Sequence, residues 1–153
     1  ITVGYPDRDE KVQVIGNEIK IVDKNTLTIR DQKECIALAG IIGNLNTSVS
    51  RSTSSIAVES ASFLSKKVIN KARSYGLNTE ASIRFERGVD YNAPVLAFWR
   101  IVHLIDELNC GEWIPDIMDT YPEKIETNEI GFDTDFSIIG PKRNYYFKEG
   151  ILI

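Results

Sequence analysis

Histidine and cysteine are almost missing from this sequence, which holds one histidine, His103, and two cysteines, Cys35 and Cys110. The cysteines stand far apart and form no Cys-x-x-Cys pair, which argues against a disulfide framework and a zinc site; free buried thiols in a reducing compartment are expected instead. His103 lies among apolar residues with no thiol or carboxylate at metal-ligand spacing, so it is expected in the core or at its boundary, not as a base or a ligand. No Ser/His/Asp order supports a nucleophilic triad. No glycine-rich phosphate loop is present, so this region is not expected to bind ATP itself. No apolar run approaches a membrane span, and none has the make-up of a secretory leader. Positive charge is also short: 18 Lys and Arg against 22 Asp and Glu give a net charge of −4. A freestanding nucleic-acid binder is usually basic, so any RNA contact must be local or shared with other domains.

What is present suits one domain of ordinary size. With 153 residues, 42% of them hydrophobic and 26% charged, the chain can bury a core and disorder is not expected. It opens on Ile1-Thr2-Val3 without a starting Met and closes on Ile151-Leu152-Ile153. Apolar ends of this kind predict a piece of a longer protein. Val12–Ile15 and Glu18–Ile21 flank the turn pair Gly16-Asn17, and Leu27–Ile29 follows Asp23-Lys24-Asn25, which together predict an antiparallel meander. Cys35–Ile42 predicts a buried strand running into a tight turn, Asn44–Ser55 a surface loop, and Ile56–Val58 a further strand.

Helical spacing of Val68, Ile69 and Ala72 predicts a helix over 66–75, capped by Ser65 and stopped by Gly76. A second helix is predicted from about Ala93 to Leu108, with Leu96, Trp99, Val102, Ile105 and Leu108 on its buried face. Beyond Pro115 and Pro122, a strand is expected over Ile125–Phe132, and Asp133 or Asp135 could cap a short helix or turn. The fold class that follows is α+β: an antiparallel or mixed sheet with two main helices.

Three segments then acquire meaning together: Ala37-Leu-Ala-Gly-Ile-Ile-Gly-Asn44, Val58-Glu-Ser-Ala61 and Tyr75-Gly-Leu-Asn-Thr-Glu-Ala-Ser-Ile-Arg-Phe-Glu-Arg-Gly-Val-Asp90. In this order and spacing they resemble the editing domain of bacterial phenylalanyl-tRNA synthetase beta subunits, the third segment most specifically. The resemblance implies a domain over residues 1–120 whose N-terminal part lies outside the chain, with 121–153 the start of the next domain or a linker. It implies hydrolysis of tyrosine wrongly esterified to tRNA(Phe), within an enzyme that joins phenylalanine to its tRNA. That enzyme uses ATP and Mg2+ on an alpha subunit, is a heterotetramer and is cytoplasmic. The resemblance implies no cofactor and no metal for this chain.

The chemical need for such a step is plain, since an apolar pocket rejects an added hydroxyl by only roughly a hundredfold, whereas a site that demands the hydroxyl discriminates more sharply. By resemblance, Glu59 accepts a hydrogen bond from the tyrosine hydroxyl, Gly43 lets backbone approach the aminoacyl group, and Thr79 and Ala81 line the same pocket. Asn44 stands where the family usually has a second glycine, and Ile83 where it usually has histidine. These departures admit a second reading, a non-catalytic scaffold that holds tRNA or a partner subunit.

Read from the residues alone, several of these positions have plainer meanings. Gly43 is a turn residue and Glu59 a solvated or salt-bridged carboxylate. Arg84, Glu86, Arg87 and Asp90 are expected to form structural ion pairs that fix the turn before the second helix. Lys66, Lys67, Lys71 and Arg73 either face solvent or meet RNA phosphate.

Overall fold

A computed structural model describes residues 1–121, 124–125, 147–148 and 151–152. The chain divides into two compact units, Ile1–Trp113 and Ile114–Ile153. The first is an α+β unit in which all strand pairing is antiparallel among the described residues. In the second, β7 (Phe147–Lys148) pairs antiparallel with β8 (Ile151–Leu152). The expected strand Ile125–Phe132 falls, past Ile125, outside the described residues, as do Asp133 and Asp135.

The strands do not form the simple meander that the turn pattern predicts. β1 (Thr2–Gly4), β4 (Thr28–Arg30), β5 (Cys35–Leu38) and β6 (Ile42–Gly43) make one sheet in the order β1-β4-β5-β6, while β2 (Glu10–Val14) and β3 (Glu18–Val22) form a separate hairpin. Gly16 and Asn17 do turn the hairpin, at φ of 100° and 67°. Two ties join it to the sheet. Arg30 and Glu10 pair through both prongs of the guanidinium, and the Ile15 amide donates to the Gly43 carbonyl at 3.0 Å. The inward face of β2 supplies Val12 and Val14, which meet Val22, Cys35, Leu38, Ile41, Val68, Ala72 and Leu77 in one core.

The helix expected over 66–75 is two short pieces, α1 (Ser65–Val68) and α2 (Lys71–Ser74). Asn70 breaks them apart at φ 63°, a left-handed conformation that asparagine tolerates. Ser65 is the first helical residue and not the cap, which is Leu64 with no side-chain capping bond. Gly76 stops α2 as expected: at φ 67° it lets its own amide reach the Arg73 carbonyl and the Leu77 amide reach that of Ala72.

An extra helix, α3 (Glu80–Arg87), occupies the stretch expected to be a turn, and it ends at Gly88. α4 (Ala93–Glu107) matches its predicted span, but its face does not behave as expected. Leu96, Trp99 and Leu108 are exposed, and no residue of α4 is fully buried. His103 is likewise exposed and faces Glu107 at 3.4 Å on the helix surface, in place of the expected position in the core or at its boundary. Ile56–Val58, expected as a strand, is irregular and exposed and pairs with no strand among the described residues.

Candidate functional site

The candidate site is organised around the tight turn between β5 and β6. Gly40 makes this turn at φ 67°, and a Cβ there would lie 3.1 Å from both the Phe63 and Phe85 rings. Those rings meet edge-on, centroids 5.1 Å apart, so the turn, the segment before α1, and α3 converge under one aromatic pair.

Gly43 sits on the far side of this turn, opposite Ala37. Its φ is not positive, so glycine is not required there for backbone conformation. What glycine provides is closeness: an added Cβ would meet only the Ile15 side chain, its Cδ1 at 3.1 Å and its Cγ1 at 3.9 Å. Asn44, the departure from the family pattern, is buried and structural. Its Nδ2 donates to the Cys35 carbonyl at 2.6 Å and to Glu34 Oε2 at 3.3 Å, and its Oδ1 accepts from the Asn46 amide at 2.9 Å. Glycine at 44 could make none of these bonds. The short 3-10 turn Leu45–Thr47 hangs from this side chain.

Thr79 belongs to the same cluster, through an architectural contact. Its Oγ1 donates to the Ile41 carbonyl at 2.7 Å and accepts from the Ser82 amide at 3.0 Å, while Ser82 Oγ accepts in return from the Thr79 amide at 3.1 Å. This reciprocal cap starts α3 and pins it to the β5–β6 turn. The hydroxyl proton is therefore spent within the fold. Ala81 follows on the first turn of α3 and is exposed. Thr79 and Gly43 are thus joined through Ile41.

Glu59 lies in the irregular, exposed segment before α1. Its neighbour Ser60 donates to the Pro94 carbonyl at 2.7 Å, in the first turn of α4. The Glu59 residue is exposed, yet the protein around it desolvates its carboxyl and raises its pKa, and desolvation is the sole cause of that shift. No hydrogen bond or ion pair to Glu59 occurs among the described residues, nor does any described contact join it to Gly43, Thr79 or Ala81.

Arg84, Glu86, Arg87 and Asp90 do not pair among themselves. Arg84 meets Glu80 at 2.6 Å, one helical turn back, and Glu86 meets Arg73 of α2 at 3.8 Å. Asp90 instead organises the entry to α4, its Oδ1 accepting from the Asn92 amide at 2.9 Å. The reason lies in the unexpected helix: α3 spreads the four side chains around its own axis and beyond its end.

One polar hub was not legible as such. Asp23 Oδ2 accepts from the Tyr75 hydroxyl at 2.6 Å and from Thr26 at 3.1 Å, Lys71 Nζ lies 3.0 Å away, and the Asn25 amide donates to Oδ1 at 2.8 Å. Tyr75 above all, with Lys71, holds the Asp23 carboxyl well below the usual carboxylate range. Burial, and then the bond to Asp23, raises the Tyr75 pKa. The Asp23-Lys24-Asn25 turn signal marked the place, but Tyr75 is far away in sequence.

The chain belongs to the B3/4 domain family, whose model matches residues 1–110. Among curated relatives it is similar to the phenylalanine–tRNA ligase beta subunit of Aliivibrio fischeri, at 42% identity over 116 residues, which are 75% of this chain and 14% of that subunit. It is also similar to the beta subunit of Francisella tularensis (39% over 115 residues, 75% of the chain, 15% of the relative) and that of Clostridium acetobutylicum (37% over 124 residues, 81% and 16%). The chain therefore spans about a sixth or less of the length of these relatives. No helix among the described residues is long and apolar enough to cross a membrane, and no group of His, Cys, Asp or Glu there could hold a metal ion.

Proposed function

We propose that this chain is the part of a phenylalanine–tRNA ligase beta subunit that recognises tyrosine esterified to tRNA(Phe) and helps to hydrolyse it. One observation carries the reading: Glu59 is a carboxylate in a desolvated position without a protein partner among the described residues. A phenol O–H is the partner it lacks. A hydrogen bond to a charged acceptor contributes about 1.5–3 kcal/mol, or roughly a ten- to hundredfold preference for Tyr over Phe. In this reading Gly43 leaves one wall of the pocket free of a side chain, and Thr79 and Ala81 line it, Thr79 by holding α3 in place.

Little more is needed from the protein. An aminoacyl ester is already activated, so the site must orient a water and steady the developing oxyanion; hydrolysis proceeds without a covalent intermediate on Ser60 or Ser82. In this reading the ATP and Mg2+ chemistry belongs to the parent enzyme with its alpha subunit in the cytoplasm. Residues 121–153 begin the following domain or a linker.

A second reading, a scaffold that holds tRNA or a subunit, is favoured by two observations: the Thr79 hydroxyl is consumed by the fold, and Asn44 is built into a turn. Deacylation of Tyr-tRNA(Phe) by the full subunit complex separates the two. Editing present in wild type and lost in Glu59→Ala and Glu59→Gln, with aminoacylation intact, supports the first reading. Absence of editing in wild type supports the scaffold. An acyl-enzyme on Ser60 or Ser82 would overturn the mechanism.

A further inference from the structure

The stretch 54–63, ahead of α1, has no regular structure. Among the described residues it makes a single hydrogen bond: Ser60 Oγ donates to the Pro94 carbonyl at 2.7 Å. Its next fixed point is Phe63, whose ring packs edge-on against Phe85 with centroids 5.1 Å apart. Glu59 stands beside the first of these two anchors. The acceptor is stiff, because Pro94 lies in the first turn of α4 and its ring fixes φ. That turn is also held from outside the helix: the Asp90 carbonyl accepts from the Ala93 amide at 3.1 Å, and Asp90 Oδ1 from the Asn92 amide at 2.9 Å. The Ser60 hydroxyl therefore ties a loose backbone to a preset one. Its proton is not free for chemistry, since it goes to the carbonyl, and His103, the one histidine of the chain, faces Glu107 instead.

We propose that Ser60 is a positioning residue for Glu59: its bond to Pro94 sets where the carboxylate stands, and through it how sharply the site tells tyrosine from phenylalanine. Position matters more for a carboxylate that recognises one hydroxyl than for a side chain that fills space. Recognition needs the acceptor within about 0.5 Å of its productive place, and an error of about 1 Å can cost roughly a hundredfold. Nothing else among the described residues fixes residue 59: its carboxyl has no protein partner, and its backbone joins no strand or helix. The proposal rests on the reading of Glu59 as the group that recognises tyrosine, and it adds a residue that touches no substrate.

The test is single-turnover deacylation of Tyr-tRNA(Phe) and Phe-tRNA(Phe) by the full subunit complex, with aminoacylation and thermal melts alongside. Ser60→Ala should slow Tyr deacylation roughly ten- to hundredfold and shrink the Tyr-over-Phe ratio by the same factor, with aminoacylation unchanged. Ser60→Thr, which keeps the hydroxyl, and Ser62→Ala, at an exposed neighbour with no described hydrogen bond, should stay within about threefold of wild type. In a Glu59→Gln background, Ser60→Ala should lower the residual rate less than about twofold, because its effect runs through the carboxylate. A merely structural role would give additive losses there. Additive losses, Ser60→Thr as impaired as Ser60→Ala, an undiminished Tyr-over-Phe ratio, or loss of aminoacylation together with folding overturns the proposal. If Ser60→Ala edits like wild type while Glu59→Gln does not, this proposal alone falls. If wild type does not edit, or Glu59→Gln edits like wild type, the reading of Glu59 falls and this inference with it.

Discussion

Replacing Thr79 with alanine separates architecture from substrate contact at the centre of the candidate site. The threonine hydroxyl gives its proton to the Ile41 carbonyl at 2.7 Å and receives the Ser82 amide at 3.0 Å. Loss of a helix N-cap costs about 1 kcal/mol. Leaving the carbonyl of Ile41, a residue only 4% exposed, without its donor adds about 1–2 kcal/mol. The expected destabilisation is thus about 2–3 kcal/mol, or a fall in Tm of roughly 6–15 °C for a unit of this size. Thr79→Ser keeps both bonds and should stay within about 1 kcal/mol of wild type. Thermal and urea unfolding followed by circular dichroism measure both variants. If Thr79→Ala melts within about 2 °C of wild type, the hydroxyl is not engaged in the fold, and the claim that it pins α3 to the turn fails.

The two turn glycines should behave oppositely. Gly40→Ala meets both a left-handed backbone and two ring carbons at 3.1 Å, for a cost of about 2–4 kcal/mol in unfolding, whereas Gly43→Ala meets only the end of the half-exposed Ile15 side chain and should cost under about 1 kcal/mol; equal costs would contradict this packing. Tyr75→Phe should destabilise by about 1–2 kcal/mol at neutral pH, a value kept low because the Asp23 side chain is partly exposed. Since the folded state depresses the Asp23 pKa, its contribution is present above the ordinary value near 3.8 and is lost as pH falls below it; urea melts between about pH 2 and 7 should therefore show a shallower acid decline in Tyr75→Phe than in wild type. The Glu59 pKa moves upward, so the folded state binds its proton more tightly, and stability falls as pH rises through and above the ordinary value of 4.5. Glu59→Gln should accordingly melt no lower than wild type at pH 7, and a clear loss of stability would mean that the carboxylate has a structural partner. Cys110 is exposed, while Cys35 is buried and its thiol pushed up to about 11, so a thiol reagent at pH 8 should label Cys110 far faster; comparable rates in the folded protein would refute the burial of Cys35.

Local chemistry determined much of this protein. Gly16-Asn17 turned the hairpin and Gly76 stopped α2, because positive φ is affordable to few residues, and the span of α4 followed from its 3.6-residue period. The α+β class was legible from the mixture of strand and helix patterns along the chain, and the family from the pattern Ala37–Asp90. What sequence could not decide was partnership between distant residues. Strand pairing of β1 with β4 skips a hairpin, so alternation that reads as a meander becomes two sheets. The apolar stripe of α4 says that a face is hydrophobic but not that anything covers it. A threonine suited to touching substrate turned out to cap a helix, and asparagine in a glycine position proved to be a bracket, because one hydroxyl or amide serves whichever donor or acceptor the tertiary fold brings within 3 Å. Hydrogen bonding is short-ranged, while the chain that sets the partners is long; residue types therefore announced the chemistry available, and only packing assigned it.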